Sequence, residues 1–363
     1  MDFTLSAEQL LLKDSVARFA ADQASARDHW KTFGELGWLA VGAPEDLGGF
    51  GGPVETLLLM EQLGRGLVIS PFVAQAVFSG AILRAANRLD LLEESIEGRQ
   101  RFAVAYEEPQ ARYDPARIET SARRDGDGWI LDGEKVRVLD ASTAAAFLVS
   151  ADTGAGIALF AVPANAPGIT LTAYPAEDGY DVANVRLANV RAGNDTLVGG
   201  LGSGLELLEL GIDHASAALC AEALGMCAVM LEATVEYTKQ RFQFGVPLSS
   251  FQALQHRMAD MYVELELLRS AAYFAAMTLE SESDPTSRKR GISAAKAQVA
   301  RSGRFVGQQA IQLHGGIGMS EEYKVGRYFK RMTLVERLLG DRDYHVRRYI
   351  ELARTPARQS VSV

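Results

Sequence analysis

The sequence is poor in the side chains that form disulfides or bind metal ions, with two cysteines and five histidines among 363 residues. Cys220 and Cys227 lie seven residues apart in one predicted helix, where a rise of roughly 1.5 Å per residue separates them too far for a disulfide. No histidine has a spacing typical of metal ligands; the five are His29, His214, His256, His314 and His345. We therefore predict no metal site, and the absence of a disulfide indicates a reducing, cytoplasmic location.

Basic residues are fewer than acidic ones, with 37 Lys and Arg against 46 Asp and Glu, a net charge of −9 and a pI near 5.2. This balance argues against a nucleic-acid or anionic-membrane surface, which needs a local excess of positive charge. No stretch approaches the roughly 20 apolar residues of a membrane span, and the N-terminal residues lack the basic leader of a signal peptide. We predict small ligands or protein partners, and neither nucleic acid nor a membrane.

Three segments differ in their sequence pattern, and hydrophobic residues make up 48% of the chain, enough for more than one core. Residues 1–98 are predicted to be helical, with a capping-box pattern at Ser6 and Gln9 and a glycine-rich loop at Ala43 to Gly52. Residues 99–198 contain short runs rich in Val, Ile and aromatics, which predict a small antiparallel sandwich or barrel. The runs are FAVAY, WILDGEKVRVL, AAFLVSA, GIALFAVP and DVANVRL.

Residues 199–363 return to a helical pattern. One run has apolar residues at gaps alternating between three and four, which predicts a long helix with one apolar stripe; it comprises Phe251, Leu254, Met258, Met261, Leu265, Leu268 and Ala272. A second predicted helix, from about Ser287 to Gln312, carries small residues such as Gly303 and Gly307 that let neighbouring helices approach closely. These features predict a C-terminal helical bundle, and a mainly α chain with a central β domain.

Four motifs carry a resemblance to a known family. They are PEDLGGFGG at Pro44 to Gly52, YEEP with WILDGEK in the β segment, RFQFG at Arg241 to Gly245 followed by FQALQHRMADM, and QLHGGIGM at Gln312 to Met319. Together they resemble the flavin-dependent acyl-CoA dehydrogenases over essentially the whole chain. The resemblance implies an N-terminal helical domain, a β-sandwich or barrel and a C-terminal four-helix bundle. It also implies FAD as the cofactor and an acyl-CoA as the substrate, oxidised to the 2,3-enoyl-CoA.

That reaction needs a carboxylate that removes the proton beside the thioester carbonyl, while a hydride leaves the next carbon for the flavin. The two positions at which family members carry this base align with Leu339 and Ala215, and neither side chain can accept a proton. Asp341, two residues after Leu339, is the first candidate for a replacement. The alternative for each nearby carboxylate is a solvated or salt-bridged group on the surface; the other candidates are Asp213, Glu222 and Glu336.

The segments that hold the flavin ring in the family are altered as well. Family members tend to have a T-E-P-x-A-G-S-D-like loop, which here reads EEPQARYD at residues 107–114, and a W-I-T-like strand, which here reads RVL at residues 137–139. The aromatic face and the hydroxyl groups expected of a flavin site are therefore missing, although Pro109 and Asp114 remain. The arginine expected three residues after Asp213 is Ser216, which argues against thioester binding by this chain.

Residues that match the family at the other end of the cofactor are intact. In family tetramers a neighbouring subunit supplies them to the ADP half of FAD; here they are Arg241, Phe244, Gly245, Gln312, Gly315 and Gly316. The fork of an arginine suits pyrophosphate oxygens, and glycines let the backbone approach a phosphate. The alternative is that the glycines only end a helix and form a turn, and His314 between them can be a packing residue or a cofactor contact.

The C-terminal motifs are most similar to the small subunits of two-subunit acyl-CoA dehydrogenases, such as pimeloyl-CoA dehydrogenase and steroid-degrading enzymes. The resemblance implies an α2β2 heterotetramer in which this chain supplies the ADP half of the FAD site. A dehydrogenase-like large subunit would supply the base and the flavin pocket, and an electron-transferring flavoprotein would accept the electrons. Two alternatives remain: a self-sufficient homotetramer that uses Asp341, and a structural or ligand-binding relative without turnover.

Overall fold

The computed structural model describes residues 4–23, 29–281, 284–320 and 322–354. The chain forms two compact units. The first, called the helical unit here, comprises Met1–Ser25, Pro53–Val68 and Ser216–Val363, and the second, called the β unit, comprises Ala26–Gly52 and Ile69–Ala215. The division into segments 1–98, 99–198 and 199–363 stays a prediction.

The α-helices are separated along the chain by loops, short 3-10 turns, a π-helix at Phe72–Phe78 and the strands. They are α1 (Ala7–Gln23), α2 (Trp30–Glu35), α3 (Pro53–Gly66), α4 (Ser79–Ala85), α5 (Leu89–Ile96), α6 (Gly204–Gln240), α7 (Gln252–Ser281), α8 (Pro285–His314), α9 (Lys324–Arg337) and α10 (Arg342–Arg354). The strands are β1 (Phe102–Ala105), β2 (Ser121–Asp125), β3 (Gly128–Leu139), β4 (Ala146–Asp152), β5 (Ile157–Pro163), β6 (Ile169–Pro175), β7 (Asp181–Ala192), β8 (Leu197–Val198), β9 (Phe242–Gln243) and β10 (Val246–Pro247).

Local signals position the helices of the helical unit. The predicted capping box begins α1: Ser6 N–H donates to Gln9 Oε1 at 2.9 Å, and Gln9 N–H donates to Ser6 Oγ at 3.1 Å. The predicted stripe of α7 is buried from Met261 onward, which confirms the bundle face. In α8, a Cβ at Gly303 would lie 2.4 Å from Met332 of α9, so the expected close approach of neighbouring helices is confirmed.

The β unit contains an eight-stranded mixed sheet in the order β6-β7-β3-β2-β4-β5-β8, with β1 paired to β4. Most neighbours are antiparallel, as predicted, but β1–β4 and the short β2–β4 pairing are parallel. The buried sequence of β1, without polar alternation, suits such an interior parallel pair. The mainly α fold class with a central β domain is confirmed, and the purely antiparallel arrangement is corrected to a mixed sheet.

Strand β3 carries an irregularity that matters for the site. Its register with β7 shifts between Lys135 and Val138, and Arg137 inside this bulge has a φ of 53°. A non-glycine residue in this left-handed region is strained by roughly 1 kcal/mol or more. Bulges redirect side chains out of the regular alternation of a strand, and here the redirected residue is Arg137.

Helix α6 corrects the expectation that no segment approaches a membrane span. Within the described residues it is the one helix that passes by length and hydropathy, with an 18-residue window of mean hydropathy 1.6, yet 89% of that window is buried inside the protein. A central helix of a folded core has the same properties.

Cys220 and Cys227 lie in α6 as buried free thiols, and burial raises the pKa of each to about 12.

Candidate functional site

A cavity of about 530 Å³ opens in the helical unit beside the C-terminal ends of α6 and α8 and the start of α7. We call it the Arg241 cavity. Four of the six residues predicted to contact a cofactor line it together: Arg241, Gln312, Gly315 and Gly316. They come from segments about 70 residues apart in the sequence, so the fold brings the two motifs to one place.

The other two predicted residues, Phe244 and Gly245, form the turn between β9 and β10, directly after the cavity residue Gln243. The Phe244 side chain is 89% exposed, and its φ of 56° is left-handed. Its ring contacts Phe251 edge-on at a centroid distance of 6.2 Å. The turn thus presents an aromatic ring to solvent next to the cavity.

Gly315 ends α8 with φ 65° and ψ −142°, and its N–H donates back into the helix. This backbone conformation is close to the region that only glycine adopts readily. The alternative interpretation as a helix stop is therefore correct for Gly315. A Cβ at Gly315 or Gly316 would meet no atom within 4 Å, so both residues also leave the mouth of the cavity open.

His314 forms part of the wall. Its Nδ1 lies 2.8 Å from Ala310 O, and its ring stacks on Tyr237 at 4.5 Å between centroids. Burial lowers the pKa of His314, and Nδ1–H donates to the Ala310 carbonyl, because a carbonyl oxygen only accepts. Sequence reasoning left this histidine open between packing and ligand contact, and the structure shows a packing role with one edge at the cavity.

The two positions that align with the family's catalytic base are buried and apolar. Leu339 follows α9 with a left-handed φ of 58°, and its side chain is only 4% exposed. Lys296, fully buried, donates from Nζ to Val335 O at 2.8 Å and to Glu336 O at 3.1 Å, which fixes the end of α9 before this turn. Ala215, the second position, is buried in α6.

Asp341 caps the next helix. Its Oδ1 accepts a hydrogen bond from Tyr344 N–H at 2.8 Å, and its carbonyl accepts one from His345 N–H at 3.1 Å. A carboxylate at this position stabilises the first turn of α10. The observed role of the one candidate base beside Leu339 is therefore that of a helix cap.

Two further candidate carboxylates are held by arginines. Buried Glu222 accepts hydrogen bonds from Arg331 Nε at 2.6 Å and from Arg331 Nη2 at 3.1 Å. Glu336 pairs with Arg304, with Nε 3.1 Å from Oε2. The ion-paired interpretation is confirmed for both, but the expected surface position is wrong, because Glu222, Glu336 and Asp213 are all buried, Asp213 in the β unit.

The altered loop at residues 107–114 begins with two glutamates that each bind a cation. Glu108 accepts from Lys135 Nζ at 2.6 Å and from the backbone N–H groups of Glu119 and Thr120, and Lys135 also donates to Ser150 Oγ at 2.9 Å. We call this buried set the Glu108 network. Burial raises the pKa of Glu108, but the ion pair and hydrogen bonds outweigh it and lower that pKa to about 2; burial lowers the pKa of Lys135 to about 8.

Glu107 binds the redirected Arg137. Arg137 Nε donates to Glu107 Oε2 at 2.7 Å, and Tyr106 Oη donates to Oε1 at 3.0 Å. Burial raises the pKa of Glu107, and Arg137 opposes that shift. The Glu107 carboxylate is almost fully buried, whereas half of the Arg137 side chain is exposed. The first two residues of the altered loop are thus each ion-paired within the chain itself.

Sequence reasoning missed Arg257, which also lines the Arg241 cavity. It lies on α7 within FQALQHRMADM, a motif quoted for the family resemblance but given no role.

Among the described residues no group of three or more His, Cys, Asp or Glu could hold a metal ion.

Models of the three domains of acyl-CoA dehydrogenases match the chain in order: the N-terminal domain at residues 6–88, the middle domain at 103–190 and the C-terminal domain at 202–351. The probable acyl-CoA dehydrogenase YngJ of Bacillus subtilis is 30% identical to this chain, over 93% of the chain and 95% of its own length. The chain belongs to the acyl-CoA dehydrogenase family. FAD is the cofactor of this family, and similar solved structures carry FAD or FADH2.

Two solved structures extend the likeness to the whole fold. The Tcur3481-Tcur3483 steroid ACAD is 30% identical, with a TM-score of 0.86 over 96% of this chain and 98% of that one. The ChsE4-ChsE5 complex from Mycobacterium tuberculosis is 26% identical, with a TM-score of 0.86 over 98% of this chain and 100% of that one. Both have the architecture of a helical protein with a central β sheet.

Proposed function

We propose that this chain is the small subunit of a heteromeric acyl-CoA dehydrogenase. It supplies the ADP half of an FAD site, and a dehydrogenase-like large subunit supplies the catalytic base and the flavin pocket. One observation carries the proposal: Arg241, Gln312, Gly315 and Gly316 line an open cavity, while both base positions, Leu339 and Ala215, are buried and apolar.

The residues present fit one end of FAD. Arg241 would hold pyrophosphate oxygens through its fork, the glycine loop leaves room for a phosphate at the backbone, and the exposed Phe244 ring offers an apolar face. When bound, FAD supplies the hydride acceptor for oxidation of the acyl group. This chain's contribution is to bind and orient the cofactor.

The residues at the other end do not fit a flavin ring. In the β unit, Arg137 stands where the family tends to have an aromatic residue, and it is ion-paired with Glu107. Asp341, the first candidate to replace the missing base at Leu339, instead caps α10. These features support a division of labour between two subunits, because a dehydrogenase needs both a base and a seated flavin.

The surface of the helical unit supports a partner. Large apolar side chains are exposed on α7, at Val263, Leu267 and Phe274, and on α10, at Tyr349 and Ile350. A partner subunit that packs against these helices would cover such side chains. The similarity to the ChsE4-ChsE5 complex agrees with a heterotetramer, and the similarity to a steroid ACAD favours a steroid-derived acyl group. An electron-transferring flavoprotein as electron acceptor and a cytoplasmic location belong to the same proposal.

The test is co-purification. The chain is expressed alone and together with a dehydrogenase-like large subunit that has a glutamate where this chain has Leu339, and the visible spectrum of each preparation is recorded. We expect flavin absorbance only in the mixture, and its bleaching by an acyl-CoA. A panel of fatty, dicarboxylic and steroid-side-chain CoA thioesters then identifies the acyl group.

Two other outcomes contradict the proposal. Flavin bound to the lone chain and reduced by an acyl-CoA would indicate a homotetramer, and Asp341→Asn should then stop the reduction. Absence of flavin from both preparations would leave a structural or ligand-binding relative without turnover.

A further inference from the structure

The charge of the Arg241 cavity differs from that of the chain. Two arginines line the cavity, Arg241 and Arg257, and its lining includes no Asp or Glu, although the whole chain has a net charge of −9. Because the pKa of the buried His314 is lowered, this histidine adds no positive charge near neutral pH. The cavity thus carries two positive charges and no negative one.

Neither arginine is neutralised from within the chain. In the parts of the chain that the structure describes, no ion pair or side-chain hydrogen bond joins Arg241 or Arg257 to another residue. Other arginines of this unit, such as Arg301, Arg304 and Arg331, each bind a glutamate. An anionic ligand in the cavity would therefore meet two guanidinium groups that no carboxylate of the described residues neutralises.

We propose that Arg257 is a second cation for the diphosphate of the bound cofactor, so that Arg241 and Arg257 together neutralise its two phosphates. The inference rests on the proposed function and adds a residue to it. Arg241 lies directly after α6 and Arg257 lies in the second turn of α7, so the two arginines reach the cavity from different parts of the helical unit. Arginine forks bind phosphate oxygens through paired, charge-assisted hydrogen bonds.

This arrangement predicts which part of the ligand is recognised. A diphosphate has one phosphate for each arginine, and a monophosphate leaves one guanidinium unpaired. The isolated chain should therefore bind ADP more tightly than AMP, and AMP more tightly than adenosine, with the ADP affinity falling as salt is raised.

The experiment is a calorimetric titration of the full chain with ADP, AMP and adenosine. We expect Arg257→Gln to weaken ADP binding about tenfold or more, as the loss of a charge-assisted hydrogen bond does, and to leave AMP binding less affected. Arg257→Lys should recover part of the loss, because it restores the charge without the fork. Arg347→Gln on α10 changes the net charge equally, lies outside the cavity lining and serves as the matched control.

Circular dichroism and thermal melting check that each variant folds, which we expect because Arg257 is exposed. If Arg241→Gln weakens ADP binding and Arg257→Gln does not, the inference is wrong and the proposed function stands. Equal affinities of the wild-type chain for ADP and AMP would also overturn it. If the wild-type chain binds no ADP, both the inference and the proposed ADP half of the site fail.

Discussion

The Arg241 cavity and the Glu108 network differ in whether the chain itself neutralises their charged side chains. At the cavity, Arg241 and Arg257 have no counter-charge within the described residues, and Gly315 and Gly316 have no neighbours where a side chain would stand. In the network, Glu108 receives a lysine and two backbone N–H groups within 3.1 Å. Polar groups that the chain satisfies itself are unavailable to a ligand, so the difference indicates where a cofactor can be bound.

The largest effect is expected when the carboxylate of Glu108 is removed from the network. Glu108→Gln leaves the fully buried Lys135 without its counter-charge, and we expect a loss of about 3–5 kcal/mol in the free energy of unfolding. Urea denaturation measures it. Glu107→Gln is the matched control, and it should cost less because Arg137 is half exposed and can be hydrated. Equal costs for the two variants would contradict the network as described.

The same carboxylate predicts a dependence on pH. The folded-state pKa of Glu108 is lowered to about 2 from an ordinary 4.5, so the unfolded chain binds the proton first as pH falls. The stabilisation by Glu108 is fully present above about pH 4.5 and is lost as pH falls towards 2. The double variant Glu108→Gln/Lys135→Met should show a shallower decrease of unfolding free energy across this window than the wild-type chain. Identical slopes would mean that the pair does not titrate as inferred.

A change at the cavity should affect binding and leave stability unchanged. Arg241→Gln removes a cation that has no partner within the described chain, and we expect a loss of about 1.5–3 kcal/mol in ADP binding, about ten- to a hundredfold in affinity. Because no side-chain hydrogen bond or ion pair among the described residues is broken, the urea midpoint should stay within experimental error. A large loss of stability would show that Arg241 has a structural role instead.

Substitutions of Asp341 should have the smallest effect on stability, and they distinguish a helix cap from a catalytic base. Asp341→Ala removes the acceptor for Tyr344 N–H and should cost about 1 kcal/mol of stability. Asp341→Asn keeps a capping oxygen and should cost less. In the complex with a large subunit, neither variant should change the rate at which an acyl-CoA reduces the flavin. Loss of reduction in Asp341→Asn would show that Asp341 acts as the base.

Local features of the fold could be predicted from the sequence. The Ser6 capping box, the α7 stripe and the small residues of α8 depend on residues a few positions apart, and all are present. Strand β6 was missed, and it is an exposed strand at the end of the sheet order. The parallel pairing of β1 with β4 joins distant residues, so no local pattern could indicate it.

At the candidate site, too, some features could be predicted from the sequence and others could not. The order of Arg241, Gln312 and the two glycines predicted one shared site, and the structure places them around one cavity. The ion pair of Glu108 with Lys135 joins residues 27 positions apart, and the bulge that turns Arg137 towards Glu107 depends on pairing with β7. Arg257 was missed because a lone arginine on an amphipathic helix has the pattern of a solvated face.

The central claim is that this chain holds the ADP end of FAD and not the flavin ring. The most direct measurement compares the affinities of FAD and ADP for the isolated chain in one titration series. If the ring finds no site, the two affinities should agree within about tenfold, a difference of roughly 1.4 kcal/mol. Binding of FAD more than about a thousandfold tighter than ADP would show a seated flavin ring and contradict the account.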